Sequence, residues 1–513
     1  MMSKDWIGKW ADYLGDKKAI YSVHQKRTEV YATINQKGEQ LALNLYEAGL
    51  RKGDRIGVIA EFCIEYIYLL AASQKVGFVL VPINYRLSKS ELKYIINDAS
   101  PKLLFVQDQL IEKVPQKSEL PSVDYLMMTS LLEDLFIKKS SVLTTSLFEE
   151  FVVDEDDPLF ILYTSGTTGF PKGALYTHKM MFWNAVNTGL RLGITDQDHT
   201  LICVPPFHTG GWNVMLTPMF FHGGSATILS HFDIDLVFDL LEYDQITQLF
   251  LVPTMLKLMC DHKRFKRAVF PKLQFIITGG EALPLSIIDL WKEKGIDIRQ
   301  GFGMTEVGPN IFSLHHDDAI RKIGSIGTPN FYTQIKLIDD DGKEVNDGEK
   351  GELVCKGDLV TPGYWNNPEA TQKAFINGWF KTGDVLTRDA EGFYYVVDRK
   401  KHMFISGGEN VYPSEVEKVL MLCDGVKDVV VTYVPDEKWG EVGFAFVIQQ
   451  EGDELSKDQL QSHCLGHLAK FKHPKHYQMV SQFPVGQTGK IDRITLKKEA
   501  ETMVKEVSTL KLS

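Results

Sequence analysis

Up to about residue 335, short apolar runs alternate with stretches of helical spacing. Arg55-Ile56-Gly57-Val58-Ile59-Ala60 reads as a buried strand, Tyr66 to Val76 as a helix, and Phe78-Val79-Leu80-Val81-Pro82 as a second strand. Further apolar runs fall at Leu159-Phe160-Ile161-Leu162, Ala226-Thr227-Ile228-Leu229 and Phe275-Ile276-Ile277-Thr278. Thr177 is predicted to cap a helix whose apolar stripe runs Phe182, Val186, Leu190 and which stops at Gly193. Strands alternating with helices predict an α/β fold with largely parallel sheets. From about Ile335 the runs shorten, and Asp339-Asp340-Asp341-Gly342 and Asn346-Asp347-Gly348 predict hairpins of a smaller β-rich lobe. A second change follows Asp398-Arg399-Lys400-Lys401-His402. A helix near Ser414 to Leu422 and a strand near Val426 to Val434 predict a compact α+β domain there. The boundary has no long linker, so a hinge is expected between a domain of residues 1–400 and one of residues 401–513.

Composition narrows the class. A chain of 513 residues exceeds one ordinary core, and 44% hydrophobic with 24% charged residues suits a soluble globular protein. The 56 basic and 67 acidic residues give a net charge of -11, which argues against a general nucleic-acid binder but allows a local basic groove. The six cysteines show no C-x-x-C spacing, so neither a zinc site nor a disulfide scaffold is expected, and a reducing compartment is. The N-terminus lacks a signal-peptide apolar core, and no run is long enough to span a bilayer. Lys511-Leu512-Ser513 has the letters of a peroxisomal tripeptide in the wrong order. The expectation is a cytoplasmic protein without an integral membrane segment; its oligomeric state is left open, a homodimer included.

The densest chemistry lies in Tyr163-Thr164-Ser165-Gly166-Thr167-Thr168-Gly169-Phe170-Pro171-Lys172-Gly173. Glycines let backbone N–H groups approach a ligand, hydroxyls donate to phosphate oxygens, and Lys172 supplies positive charge. This suits a polyphosphate, although the Walker A pattern cannot be fitted. Thr278-Gly279-Gly280-Glu281 and Gly301-Phe302-Gly303-Met304-Thr305-Glu306 each follow a strand, and ligands of open α/β sheets sit beyond such strand ends. Phe302 offers a stacking face, and Glu306 could hold a magnesium ion shared with phosphate. Trp379-Phe380-Lys381-Thr382-Gly383-Asp384 places an acid where it could accept two ribose hydroxyls. Thr488-Gly489-Lys490 puts a lysine near the end of the last domain.

In this order and over nearly the whole chain, these segments resemble the adenylate-forming superfamily of acyl-CoA synthetases, firefly luciferases and nonribosomal adenylation domains. Asp398-Arg399 with Gly407-Gly408-Glu409-Asn410-Val411-Tyr412-Pro413 belongs to the same pattern. The resemblance implies a large N-terminal domain of two α/β subdomains plus a distorted β-barrel, and a small mobile C-terminal domain. It also implies two half-reactions: a carboxylate attacks the α-phosphate of ATP bound with Mg2+, and coenzyme A then takes the acyl group. The resemblance gives Thr164, Ser165, Gly166, Thr167, Thr168, Gly169 and Lys172 to the phosphates, and Gly279, Gly280, Glu281 and Phe302 to adenine. Thr305 would contact the α-phosphate, Glu306 with Thr164 the magnesium, and Asp384 with Arg399 the ribose. Lys490 would bridge carboxylate and α-phosphate, His208 would stand near the substrate carboxylate, and Lys401 matches the hinge. Phe302 stands where Tyr is also common, which removes a phenolic hydrogen bond.

Within that superfamily, Pro205-Pro206-Phe207-His208-Thr209-Gly210-Gly211 resembles the signature of acyl-CoA ligases. That signature disfavours an amino-acid adenylation enzyme feeding a separate carrier, which usually places an Asp nearby; Asp233 lies well past the His208 segment and reads as a turn residue. A non-enzymatic nucleotide binder would have lost residues that are present here, and a luciferase-like oxygenase stays open. Apolar walls built from Phe207, Trp212, Met215 and Met304, with glycines at 210, 211, 279 and 303, suggest a medium- to long-chain fatty acid. An aromatic acid held between Trp212 and Phe207 is the alternative.

Overall fold

The computed structural model describes residues 4–128, 135, 148, 151–164, 171–280, 283–406, 409–436, 438–452, 455–486 and 490–510. The chain is mixed α/β and forms two compact units, Met1–Ile335 with Cys355–Lys381, and Lys336–Val354 with Thr382–Ser513.

The first unit holds two sheets. The nine-stranded one runs, in spatial order, Thr328–Pro329, Phe312–Ser313, Asp297–Phe302, Phe275–Thr278, Gln248–Phe250, His199–Ile202, Ser225–Ile228, Lys18–Ser22 and Arg27–Val30. Its interior pairs are parallel and its edge pairs antiparallel. The six-stranded sheet runs Tyr125–Met128, Leu103–Val106, Arg55–Ile59, Val79–Pro82, Pro158–Thr164 and Lys172–Thr177, parallel except for the last pair. Helices cover parallel strands on both faces, so Val79–Pro82 and Leu103–Val106 are buried at every position and read as continuous apolar runs. The helix Ile64–Val76 is buried along its whole length, which is why its sequence has no polar side. Ser88 closes a capping box with Glu91 at the start of Lys89–Ala99.

Two local outcomes differ from the sequence reading. Lys172–Thr177 is a strand antiparallel to Pro158–Thr164, with Thr164 opposite Lys172, so the lysine begins a return strand. A Cβ at Gly173 would lie 2.6 Å from Ile161 Cγ2, so any side chain there would have to displace the buried Ile161. The helix His178–Leu192 has the expected caps: Thr177 accepts from the Met180 amide, and Gly193 is left-handed at φ 71°. Its apolar stripe is elsewhere, however. Leu190 is 63% exposed, and the buried face carries Met180, Met181, Asn184, Ala185, Asn187 and Thr188. Hydrogen bonds explain the polar interior. Asn184 donates to the Asn213 carbonyl (2.6 Å) and accepts from the Asn310 amide (3.1 Å), while Thr188 accepts from the Asn310 side chain (2.7 Å).

In the second unit, the turn at 339–342 closes a hairpin in which the Asp339 amide donates to the Lys343 carbonyl. The part of the strand Trp379–Arg388 that belongs to this unit pairs antiparallel with Tyr394–Arg399, setting Asp384 opposite Arg399. A five-stranded sheet contains Glu409–Val411, Phe404–Ser406, Gly440–Gln449 and Val426–Asp436 in that order, with His476–Met479 parallel to Gly440–Gln449. The helix Pro413–Leu420 buries Val416 and Leu420 in the core of this sheet. Among the described residues, no helix is long and apolar enough to cross a membrane.

Candidate active site

The first unit gathers a carboxylate, a cation and two hydroxyls from three distant stretches of the sequence. Thr164 ends one strand, Lys172 starts its partner, and Glu306 lies in the 3-10 turn Thr305–Val307 just past the strand Asp297–Phe302. Glu306 is 4% exposed, and its Oε1 accepts from the Thr164 hydroxyl (3.4 Å) and the Tyr364 hydroxyl (3.0 Å). The Lys172 ammonium stands 5.4 Å from the centroid of the Tyr364 ring. Burial, followed by the neighbouring Glu306 charge, pushes the Tyr364 phenol well above its ordinary value, so it remains a donor at physiological pH.

Glycines let the neighbouring strand ends approach closely. A Cβ at Gly279 would lie 2.8 Å from the Gly301 carbonyl oxygen, and one at Gly303 would lie 1.4 Å from that of Pro309. Gly280 turns away at φ 89° with open space where a side chain would be. Phe302 is half-buried and meets Phe312 edge-to-face at 6.0 Å. Ser165, Gly166, Thr167, Thr168, Gly169 and Glu281 lie outside the described residues.

The acyl-pocket walls expected from sequence are corrected in part. Trp212 is fully buried among Phe62, Tyr66 and Phe160 at 5.1–5.6 Å, and its indole N–H donates to the Pro206 carbonyl. Met215 is also fully buried, so neither side chain faces open space. Phe207 packs edge-to-face on Tyr85 and beside the His208 ring (4.6 Å). His208 itself is half-buried, at the head of the short helix Thr209–Trp212, and Met304 is half-buried too. Asp233 caps the helix Ile234–Tyr243 by accepting from the Leu236 amide, a structural task in keeping with its reading as a turn residue.

The second unit brings Asp384, Arg399, Lys401 and Lys490 together. Asp384 is 2% exposed and pairs with Arg399 Nε at 2.6 Å. Asp398 accepts from the amides of Arg399 (2.6 Å) and Ser414 (2.9 Å) and from His402 Nδ1 (3.3 Å). Burial opposes its charge, yet these hydrogen bonds prevail and hold its carboxyl below the usual range. The Lys401 ammonium is lowered by burial, and then by the positive charges of Arg399 and Lys490. Cations in one neighbourhood raise one another's energy, and an anion arriving among them relieves it.

The donor set fits magnesium. Glu306 and Thr164 offer hard oxygen atoms, and among the described residues no group of three or more His, Cys, Asp or Glu could hold a metal alone. Mg2+ commonly takes one or two carboxylates and completes its shell with phosphate and water. Tyr364 is the member of this cluster that the sequence reading missed. Its only signal was a phenol within Gly363-Tyr364-Trp365, which no spacing rule connects to Glu306.

Comparison with known proteins agrees with this geometry. Residues 8–365 match the AMP-binding enzyme family, and residues 415–490 match the AMP-binding enzyme C-terminal domain. The chain is 35% identical over 461 residues to a feruloyl-CoA synthase of an Amycolatopsis species, covering 90% of this chain and 92% of that one. It is 35% identical over 483 residues to the long-chain-fatty-acid–CoA ligase FadD13 of Mycobacterium tuberculosis, covering 92% and 93%. The o-succinylbenzoate–CoA synthetase MenE of Bacillus subtilis, solved with ATP and a magnesium ion, superposes with a TM-score of 0.84 at 29% identity, over 96% of this chain and 99% of that one. Matches of this length and identity place the chain in the AMP-binding enzyme family, within its acyl-CoA ligases.

Proposed function

We propose that this chain is an ATP-dependent acyl-CoA ligase. It would activate a hydrophobic carboxylic acid as an acyl-adenylate and then transfer the acyl group to coenzyme A. The observation that carries the reading is the buried Glu306 carboxylate, oriented by two hydroxyls beside Lys172 at the ends of adjacent strands. Glu306 and Thr164 would hold the magnesium, whose chemistry is to neutralise phosphate charge as pyrophosphate leaves. Lys172, with the 165–169 stretch, would bind the β- and γ-phosphates. Gly279, Gly280, Glu281 and Phe302 would hold adenine, Thr305 the α-phosphate, and Asp384 with Arg399 the ribose. Lys490 would offset the repulsion between the substrate carboxylate and the α-phosphate during attack. Lys401 would be the pivot between residues 1–400 and 401–513 when the second half-reaction follows the first.

For the acid we propose a medium- to long-chain fatty acid, on the half-buried Met304 and the half-buried His208, with the FadD13 likeness in support. The equal likeness to a feruloyl-CoA synthase favours an aromatic acid as the second reading, although Trp212 is sealed in the core. A panel of acids assayed for CoA-dependent AMP release tests both. Each added methylene buried should contribute about 0.8 kcal/mol, so kcat/KM should climb from acetate through octanoate. A series beaten by ferulate or succinylbenzoate moves the substrate to the aromatic class, and no AMP release with any acid ends the ligase reading.

A further inference from the structure

Tyr364 is fixed more firmly than a surface loop residue needs to be. Its backbone forms an antiparallel bridge with Ala174, two residues beyond Lys172. On either side, the Leu175 amide donates to the Gly363 carbonyl (3.0 Å) and the Trp365 amide to the Gly173 carbonyl (2.7 Å). The Tyr364 amide donates to the Thr371 hydroxyl (2.9 Å), and the Trp365 indole to the Asp98 carbonyl (3.0 Å). The same segment holds the backbone of Glu306, since the Thr361 amide donates to its carbonyl (2.8 Å). Segment 361–365 therefore forms a splint along the Lys172 strand, and the only hydroxyl of Tyr364 is spent on Glu306 Oε1.

We propose that Tyr364 is a positioning residue for adenylation, its hydroxyl orienting the Glu306 carboxylate toward the metal and its ring holding the Lys172 ammonium toward the phosphates. The proposal rests on the ligase reading and adds to it the side chain that sets both groups at once. A carboxylate free to rotate must be immobilised when the metal binds, whereas one already accepting two hydrogen bonds has met that cost in the fold. Lysine is a point charge on a flexible stem, so a ring beneath it selects one direction among many.

The test separates hydroxyl from ring with two variants of the full chain, Tyr364→Phe and Tyr364→Leu. The first readout is equilibrium metal binding without turnover: free Mn2+ counted by electron paramagnetic resonance, with saturating ATP and no acid. Tyr364→Phe should weaken Mn2+ binding about tenfold. Its ATP affinity in chelator should stay at the native value, because the ring remains under Lys172. Tyr364→Leu should lose both, with metal-free ATP affinity down roughly fivefold. In turnover, Tyr364→Phe should raise the half-saturating Mg2+ for ATP–pyrophosphate exchange by a similar factor and recover its rate at high Mg2+. Thioester formation from supplied acyl-adenylate should be unchanged. A structural role alone would lower both half-reactions and the melting temperature together, at every Mg2+ concentration. That outcome, or Mn2+ binding within twofold of native, overturns the proposal while an active native protein upholds the ligase reading. A native protein inactive with every acid overturns both.

Discussion

Lys490 is an exposed residue whose charge reaches Lys401, and its proposed task is confined to one step. Lys490→Ala should abolish adenylate formation, leave thioester formation from synthetic acyl-adenylate near native, and keep the melting temperature. Equal loss in both half-reactions would remove the lysine from the attack on the α-phosphate. Asp384 differs, being buried and paired with Arg399. Asp384→Ala takes away a charged acceptor and leaves the guanidinium without that carboxylate, so ATP binding should weaken by about 2 kcal/mol, roughly thirtyfold. Calorimetric ATP affinity equal to native would exclude Asp384 from the ribose site. Thr164, Lys172 and Glu306 could be singled out because residue types and their order recur as motifs. Tyr364 was not, since its role depends on a hydrogen bond to a residue 58 positions away.

Among the elements, the short 3-10 turn Lys400–His402 carries the proposed pivot, flanked by Lys400 bound to Asp340 (2.8 Å) and Glu352 (3.0 Å). Proline at 401 would fix φ and remove an N–H donor. Lys401→Pro should therefore preserve pyrophosphate exchange and collapse CoA-dependent thioester synthesis. Normal overall turnover in this variant would move the pivot elsewhere. The strands and helices around the site were legible where one period dominated. Val79–Pro82 is apolar at each position because both its faces are covered, and Thr177 and Gly193 announced the ends of one helix by cap chemistry. The strand Lys172–Thr177 was hidden by Pro171 and Gly173, which read as loop. The buried face of His178–Leu192 was hidden by Asn184, Asn187 and Thr188, whose partners arrive from residues 213, 310 and 332. Polar side chains enter a core only when distant groups satisfy them, and a local pattern contains no record of those groups.

For the whole molecule, acid stability is written into His178. It is 2% exposed with neither ring nitrogen hydrogen-bonded, and burial, with Asp157 opposing, lowers its pKa to about 4. The unfolded chain titrates near 6.5, so between about pH 6.5 and 4 the unfolded state binds the extra proton and stability falls as pH falls. By pH 5 this one ring should cost about 2 kcal/mol relative to pH 8. Denaturation midpoints of His178→Phe should decline less from pH 8 to pH 5 than those of the native chain; equal declines would place the acid sensitivity in other groups.

The convergence on Glu306 also has a consequence for synthesis. Thr164 precedes it by 142 residues, and Tyr364 follows it by 58. On the ribosome the carboxylate emerges long before the phenol that steadies it, and contacts so far apart in sequence form only after the intervening loops close. A nascent chain that stops short of residue 364 would therefore carry the strands Pro158–Thr164 and Lys172–Thr177 without the phenol that meets Glu306.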